Sequence, residues 1–402
     1  MNIIAKFFVF LFGYVIYAFS FLVPRSKNKL AFGSFRGTFN GNAKYLFISL
    51  SENSDKNIVW LSDNKKTVAH IKSLGLKAYF IGSFKGFWFA LKAKYWFFNS
   101  YSSDILFFAS GSATLINLWH GLALIKKIEF EITSGELAKR YVKKTIKERF
   151  FHPECFIKPD FVLSSTNFQS KIFAKAFRID VSQCINIGYP CNSILIADET
   201  GRQNFIKKYE EQETLNLIEK LKQYNKIFVY MPTWRDSQRN IFAENINLDV
   251  INKIMQKTNS LFLLKPHANT IANKEIFANF ENIFFIENNI DIYPVLPYTD
   301  VLVTDYSSVY YDYLLMQNKE IILYLYDLED YAKQRDFRQE FLDDITSKKC
   351  YNFEELINTI ESNNYSKSLQ NKEDEITKFW SENWNKTIKQ LSEEIITKTI
   401  KQ

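Results

Sequence analysis

The sequence predicts an α/β protein of two Rossmann-like domains on parallel sheets, with a hydrophobic helix in front. Three observations predict it. Short apolar runs of four to eight residues, rich in Ile, Val, Phe and Tyr, alternate with amphipathic, lysine-rich stretches. The spacers are mostly long enough to hold a crossover helix, as βαβ units require. The runs also fall into two sets, separated by the turn-rich segment Gly188-Tyr189-Pro190-Cys191-Asn192-Ser193.

The first element is the uncharged stretch from Phe7 to Pro24, flanked by Lys6 on one side and by Arg25, Lys27 and Lys29 on the other. As a helix it is about 27 Å long, marginal for a bilayer core of about 30 Å. Phe-Leu-Val-Pro is a poor signal-peptide cleavage site. Three readings stay open: a span with the body on the cytoplasmic side, an aromatic-rich helix lying on the membrane, and a buried N-terminal helix.

Strands follow at Lys29–Phe35, Asn57–Ser62, Lys77–Gly82, Tyr95–Ser100, Leu115–Trp119 and Phe161–Ser165. The second set is Lys226–Met231, Leu261–Pro266, Ile283–Glu287, Val301–Thr304 and Ile321–Tyr326. From Leu137 to Arg149 the pattern predicts a basic amphipathic helix, and the chain from Phe353 onward reads as polar and helical. The expected boundaries are 1–28 for the hydrophobic segment, 29–195 and 196–375 for two domains facing across a cleft, and 376–402 for a helical tail.

Composition narrows the functional classes. A chain of 402 residues with 47% hydrophobic and 24% charged residues can bury ordinary cores. The net charge is +7, but residues 1–50 hold six basic side chains and no acid, leaving 45 basic against 44 acidic over the rest. The body is therefore nearly neutral, and no nucleic-acid partner is expected. Four cysteines (155, 184, 191 and 350) without a C-x-x-C pair support neither a disulfide framework nor a metal site. The chain lacks G-x-G-x-x-G, G-x-x-x-x-G-K-[ST], D-x-D, H-E-x-x-H and G-x-S-x-G. Dinucleotide oxidoreductases and P-loop enzymes lose their support with the first two.

What remains are strand ends. His120 closes Leu115-Ile116-Asn117-Leu118-Trp119 and is followed by Gly121; histidine is the usual general base near neutral pH. His267, preceded by Lys265 and Pro266, repeats the pattern in the second set. Thr304, Asp305, Ser307 and Ser308 lie between a buried strand and the helical run Val309–Leu314, a pattern that predicts an anion site at a helix start. Pro232-Thr233-Trp234-Arg235 ends another strand with an indole and a guanidinium, groups suited to a base or ribose and to a phosphate. The lysines between Lys126 and Arg149, among them Lys126, Lys127, Lys143 and Lys144, form either a solvated face or a contact for anionic lipid head groups.

Together these strings resemble the CDP-glycerol glycerophosphotransferase family of teichoic-acid and capsule enzymes. Trp119-His120-Gly121, Pro232-Thr233-Trp234-Arg235, Lys265-Pro266-His267 and Thr304-Asp305-Tyr306-Ser307-Ser308 match its motifs in order. So do Phe32-Gly33-Ser34-Phe35-Arg36-Gly37 with Asn42, Gly188-Tyr189-Pro190, and Tyr326-Asp327-Leu328-Glu329-Asp330-Tyr331. The match covers roughly residues 30–335. It departs at Leu122–Ile125, one residue longer before Lys126-Lys127, at Ala268 after His267, and at Lys319-Glu320.

The resemblance implies a GT-B fold and a membrane-peripheral enzyme on the cytoplasmic face of the membrane. The first domain would meet a lipid-linked or glycan acceptor, and the second would hold CDP-glycerol or CDP-ribitol. Catalysis falls to His120 as base, with His267 on the phosphates. Donor binding falls to Thr233, Arg235, Lys265, Thr304, Asp305, Ser307 and Ser308. Acceptor or membrane contact falls to Trp119, Lys126, Lys127, Lys143 and Lys144. No cofactor is implied, and the need for a divalent metal and the oligomeric state stay open. The competing readings are a GT-B glycosyltransferase using a nucleotide sugar and a non-catalytic membrane-associated binding protein.

Overall fold

The computed structural model describes residues 3–135, 137–233, 235, 245–266, 277–338 and 340–400. It divides into two compact units. The first holds Met1–His120, Lys127–Ser193 and Asn383–Gln402; the second holds Gly121–Lys126 and Ile194–Glu382.

The first unit is built on a seven-stranded parallel sheet: β1 (Ser26–Phe32), β2 (Asn57–Ser62), β3 (Ala78–Phe80), β4 (Ala93–Phe98), β5 (Thr114–Asn117), β6 (Phe161–Ser164) and β7 (Cys184–Asn186). Their order is β3-β2-β1-β4-β5-β6-β7. Because both faces are covered, the middle of each central strand is apolar: Ala31, Val59, Trp96 and Ile116 have no exposed surface. The order reverses between β1 and β4, and ligands of such sheets bind outside the carboxyl ends at that point.

The helix Ile3–Ser20 packs one face on this unit. Phe10 meets Phe108 and Phe151 edge-on, Tyr17 stacks on Phe107, and the Tyr14 hydroxyl donates to the Phe150 carbonyl at 3.0 Å. The other face, with Phe8, Phe12, Val15 and Phe19, is exposed, Phe12 at 67%. Among the described residues no helix is long and apolar enough to cross a membrane. Arg25, expected to flank a membrane segment, turns inward instead and donates to the carbonyls of Ala90, Ala93, Ala109 and Gly111. Burial lowers its pKa to about 10.

The second unit carries a six-stranded parallel sheet: β8 (Lys226–Met231), β9 (Ser260–Leu264), β10 (Ile283–Phe285), β11 (Val301–Thr304), β12 (Glu320–Tyr324) and β13 (Lys348–Cys350), in the order β10-β9-β8-β11-β12-β13. Its reversal lies between β8 and β11, which pair in register from Val301 opposite Phe228 to Thr304 opposite Met231. A core of Phe228, Tyr230, Ile251, Met255, Phe262, Leu264, Val303 and Ile322 joins this sheet to its helices.

Two expectations need correction. β7 and β13 were not anticipated: each is a three-residue edge strand, too short to show a period, and β13 opens with two lysines. The basic helix expected from Leu137 is broken into Ala138–Tyr141 and Ile146–Phe151, with Lys144 left-handed at φ 47° and the Thr145 hydroxyl capping the second piece. In the C-terminal region, the helix Leu369–Trp380 packs within the second unit, where the Trp380 indole donates to the Tyr311 carbonyl at 3.0 Å. The helix Ile388–Thr399 packs within the first, Ser392 donating to Ser49.

Candidate active site

At the end of β5 the chain makes a strained turn. Trp119 has φ 51°, costly for a bulky residue and sustained only where its surroundings dictate it. Two buried amides do so. Asn117 accepts from the Trp119 N–H at 2.9 Å and donates to the Ser100 carbonyl at 2.9 Å. Asn42 donates to the carbonyls of Leu118 and Trp119 at 3.1 and 2.9 Å and accepts from the Cys191 N–H at 3.0 Å. The Trp119 ring is buried against Phe173 and Phe177. It therefore supports the turn and does not offer its face to an acceptor.

His120 itself is exposed, with its ring 4.3 Å from the Trp119 ring. Its Nδ1 lies 3.1 Å from the carbonyl oxygen of Asn99, the residue after β4. Asn99 is held in turn: its side chain accepts from the Ala43 N–H and donates to the Ser34 hydroxyl and the Asn40 carbonyl. Asp104 accepts the backbone N–H groups of Asn99 and Ser100 at 3.1 and 2.8 Å. Burial pushes the Asp104 carboxyl up to about 7, against the pull of those donors.

At the end of β11 the chemistry is ionic. Asp305 is fully buried and accepts the Thr233 N–H at 2.8 Å, the Thr233 hydroxyl and the Tyr306 N–H. Its other oxygen pairs with Arg235 at 2.9 Å. Arg235 also pairs with Asp327 at 2.7 Å through Nε and donates to the Thr233 carbonyl. The guanidinium sits 4.7 Å from the centre of the Tyr331 ring. Burial opposes its charge, but Asp305 and the hydrogen bonds to Asp327 prevail and hold it protonated.

Three of the sequence motifs thus converge on one cation, and Arg235 braces loops where a phosphate contact was expected. Thr304 is likewise turned inward, its hydroxyl on the Met231 carbonyl. Ser307 and Ser308 remain partly exposed at the start of Val309–Leu314. Gly121 lies against Ser308 so closely that a Cβ would stand 2.2 Å from its hydroxyl. The first N–H groups of this helix are not all open, because Tyr310 and Tyr311 donate to the carbonyls of Ser307 and Ser308.

Lys265 follows β9 and is buried, its ammonium donating to the carbonyls of Glu287 and Ile290. Burial lowers its pKa to about 8, against the opposing pull of Asp291 and Glu287. His267 and Trp234 lie outside the described residues. Lys126 and Lys127 are half-buried, Lys126 pairing across a single bridge with Phe337, while Lys143 and Lys144 are exposed. Asn99, Asn117 and Asp104 were missed in the sequence; Asn99 follows the apolar strand β4, the same signal that singled out His120. Among the described residues no group of three His, Cys, Asp or Glu side chains is placed to hold a metal.

Two parallel sheets, each with its polar residues gathered beyond the strand ends nearest the reversal, define a GT-B-type α/β protein. Residues 15–401 match the family model described as CDP-Glycerol:Poly(glycerophosphate) glycerophosphotransferase, and the chain belongs to that family. It is 28% identical over 337 residues to a teichoic acid poly(glycerol phosphate) polymerase of Bacillus spizizenii, covering 80% of this chain and 79% of that one. It is 28% identical over 350 residues to a teichoic acid glycerol-phosphate transferase of Staphylococcus aureus, covering 84% of each. The solved structure of the wall teichoic acid polymerase TagF superposes with a TM-score of 0.73 at 20% identity, over 99% of this chain and 96% of that one. This last likeness shows the fold.

Proposed function

We propose that this chain transfers a glycerol-phosphate unit from CDP-glycerol, or the corresponding unit from another CDP-alditol, to a hydroxyl of a lipid-linked or polymeric cell-surface glycan. CMP is the leaving group. The carrying observation is an exposed histidine on a rigid strained turn, in a chain of the glycerophosphotransferase family. In the step, His120 accepts the proton of the acceptor hydroxyl. The oxygen forms a bond to the alditol-bearing phosphorus as the bond from that phosphorus to the CMP oxygen breaks. Such chemistry depends on positioning and charge stabilisation more than on covalent help. The second unit supplies the donor contacts: the hydroxyls of Ser307 and Ser308, with Lys265 and His267 as cationic groups. Asp305, Arg235, Thr233 and Thr304 hold the loop that carries the serines. Incubation with a panel of CDP-alditols and nucleotide sugars tests this. CMP and a phosphodiester product are expected; a nucleoside diphosphate and a glycosidic product would mark glycosyl transfer instead.

The same reading places the enzyme on the cytoplasmic face of the membrane. The helix Ile3–Ser20 exposes seven large apolar side chains, from Phe7 to Phe19, and Ile146, Lys143 and Lys147 are also exposed on this unit. Burying one Phe in lipid contributes about 1.5–3 kcal/mol. Flotation with anionic vesicles should recover the chain, and Phe12→Asp with Phe19→Asp should abolish recovery. Unchanged flotation of the double variant contradicts the placement.

A further inference from the structure

We propose that Asn117 is a positioning residue that fixes His120 as the Nδ1–H tautomer, so that Nε2 is the nitrogen that takes the acceptor proton. The inference rests on the reading of His120 as the base. Nδ1 lies 3.1 Å from the Asn99 carbonyl and 3.5 Å from the Ser100 hydroxyl; the shorter contact is a hydrogen bond only with Nδ1 as donor, since a carbonyl oxygen carries no proton. In the neutral ring the lone pair then falls on Nε2. Two things must hold for this to persist: the Asn99 carbonyl must stay where it is, and the His120 ring must stay opposite it.

Asn117 secures both. Its side chain is buried and bridges the two segments, donating to the peptide carbonyl that follows Asn99 and accepting from the N–H that precedes His120. Asn42 and Asp104 reinforce one side each: Asn42 through the Leu118 and Trp119 carbonyls, Asp104 through the Asn99 and Ser100 N–H groups. Asn117 joins the β4 end directly to the His120 turn through its own amide. The frame uses neutral amides next to the ring, so it orients the base without adding a charge beside it.

The test uses the full chain labelled with 15N at its four histidines, the His120 signal being assigned by its loss in His120→Ala. Wild type should show His120 as a single Nδ1–H tautomer. Asn117→Ala removes both hydrogen bonds, and Asn117→Asp keeps the acceptor for Trp119 while losing the donor to Ser100. Both should give a tautomer mixture and lower kcat about 10- to 100-fold, with the KM for CDP-glycerol within about twofold. A purely structural role would lower thermal stability and leave the tautomer and kcat of the folded protein unchanged. An Nε2–H tautomer in wild type, or Asn117 variants with unchanged kcat, overturns the proposal. If Asn117→Ala does not fold, Asn117→Asp and the wild-type tautomer decide it. Loss of the base reading is separately visible, as full turnover in His120→Ala.

Discussion

The ends of β5 and β11 solve the same problem in opposite ways. Each follows a buried parallel strand at or beside the reversal of its sheet, and each must hold an irregular loop in one shape. Around His120 the side chains nearest the turn are neutral: Asn42, Asn99 and Asn117 satisfy backbone groups through their amides, the one carboxyl of the frame, Asp104, is bonded to the Asn99 and Ser100 N–H groups, and the ring stays exposed. Around Asp305 the frame is charged and closed, with Arg235 held between Asp305 and Asp327 and stacked among tyrosines. A group that must change protonation is best oriented by dipoles, because a fixed charge in contact with it would shift its pKa. A loop that must only stay put can be tied by buried ion pairs. At this loop of the second unit the buried ion pairs brace the chain, and Ser307 and Ser308 stay partly exposed.

The comparison breaks most visibly at Arg235. Arg235→Met leaves Asp305 and Asp327 without their cation, which should cost the second unit about 3–5 kcal/mol. Denaturant unfolding reads this directly, and a loss below about 1 kcal/mol would mean the ion pairs do not brace the loops. A smaller effect sharpens the role of Lys265, the one cation named for the donor that sits in the described part of the second unit without a carboxylate ion pair. Its pKa is lowered to about 8, so it is charged below that value and neutral above it. If it holds a donor phosphate, kcat/KM for CDP-glycerol should fall up to about tenfold per pH unit above pH 8. Lys265→Met should remove that limb at a lower plateau. A wild-type profile flat to pH 9.5 rules the contact out.

Much of this was legible in the sequence. Asn57–Ser62, Lys226–Met231 and Val301–Thr304 are strands at their anticipated bounds, since buried parallel strands read as unbroken apolar runs. His120 stood out because a polar residue ended such a run. Asn117 did not, for it sits inside the run and its partners, Ser100 and Trp119, are brought to it only by the pairing of β4 with β5. The ion-pair partners of Arg235 were hidden for a related reason. A guanidinium at a strand end looks available until Asp305 and Asp327, 70 and 92 residues away, fold onto it. The broken helix near Lys144 shows the limit of periodicity, because a capping threonine and one left-handed residue outweigh a basic stripe.

The central claim is that His120 drives phosphoryl transfer from a CDP-alditol. It is tested most directly by measuring CMP released from CDP-glycerol, in the presence of a hydroxyl acceptor, by the wild-type chain and by folded His120→Ala. Wild type should release CMP in step with new phosphodiester, and the variant should be slower by about 10²–10⁴-fold. Equal rates in the two proteins, or a glycosidic product with release of a nucleoside diphosphate from a nucleotide sugar, would contradict it.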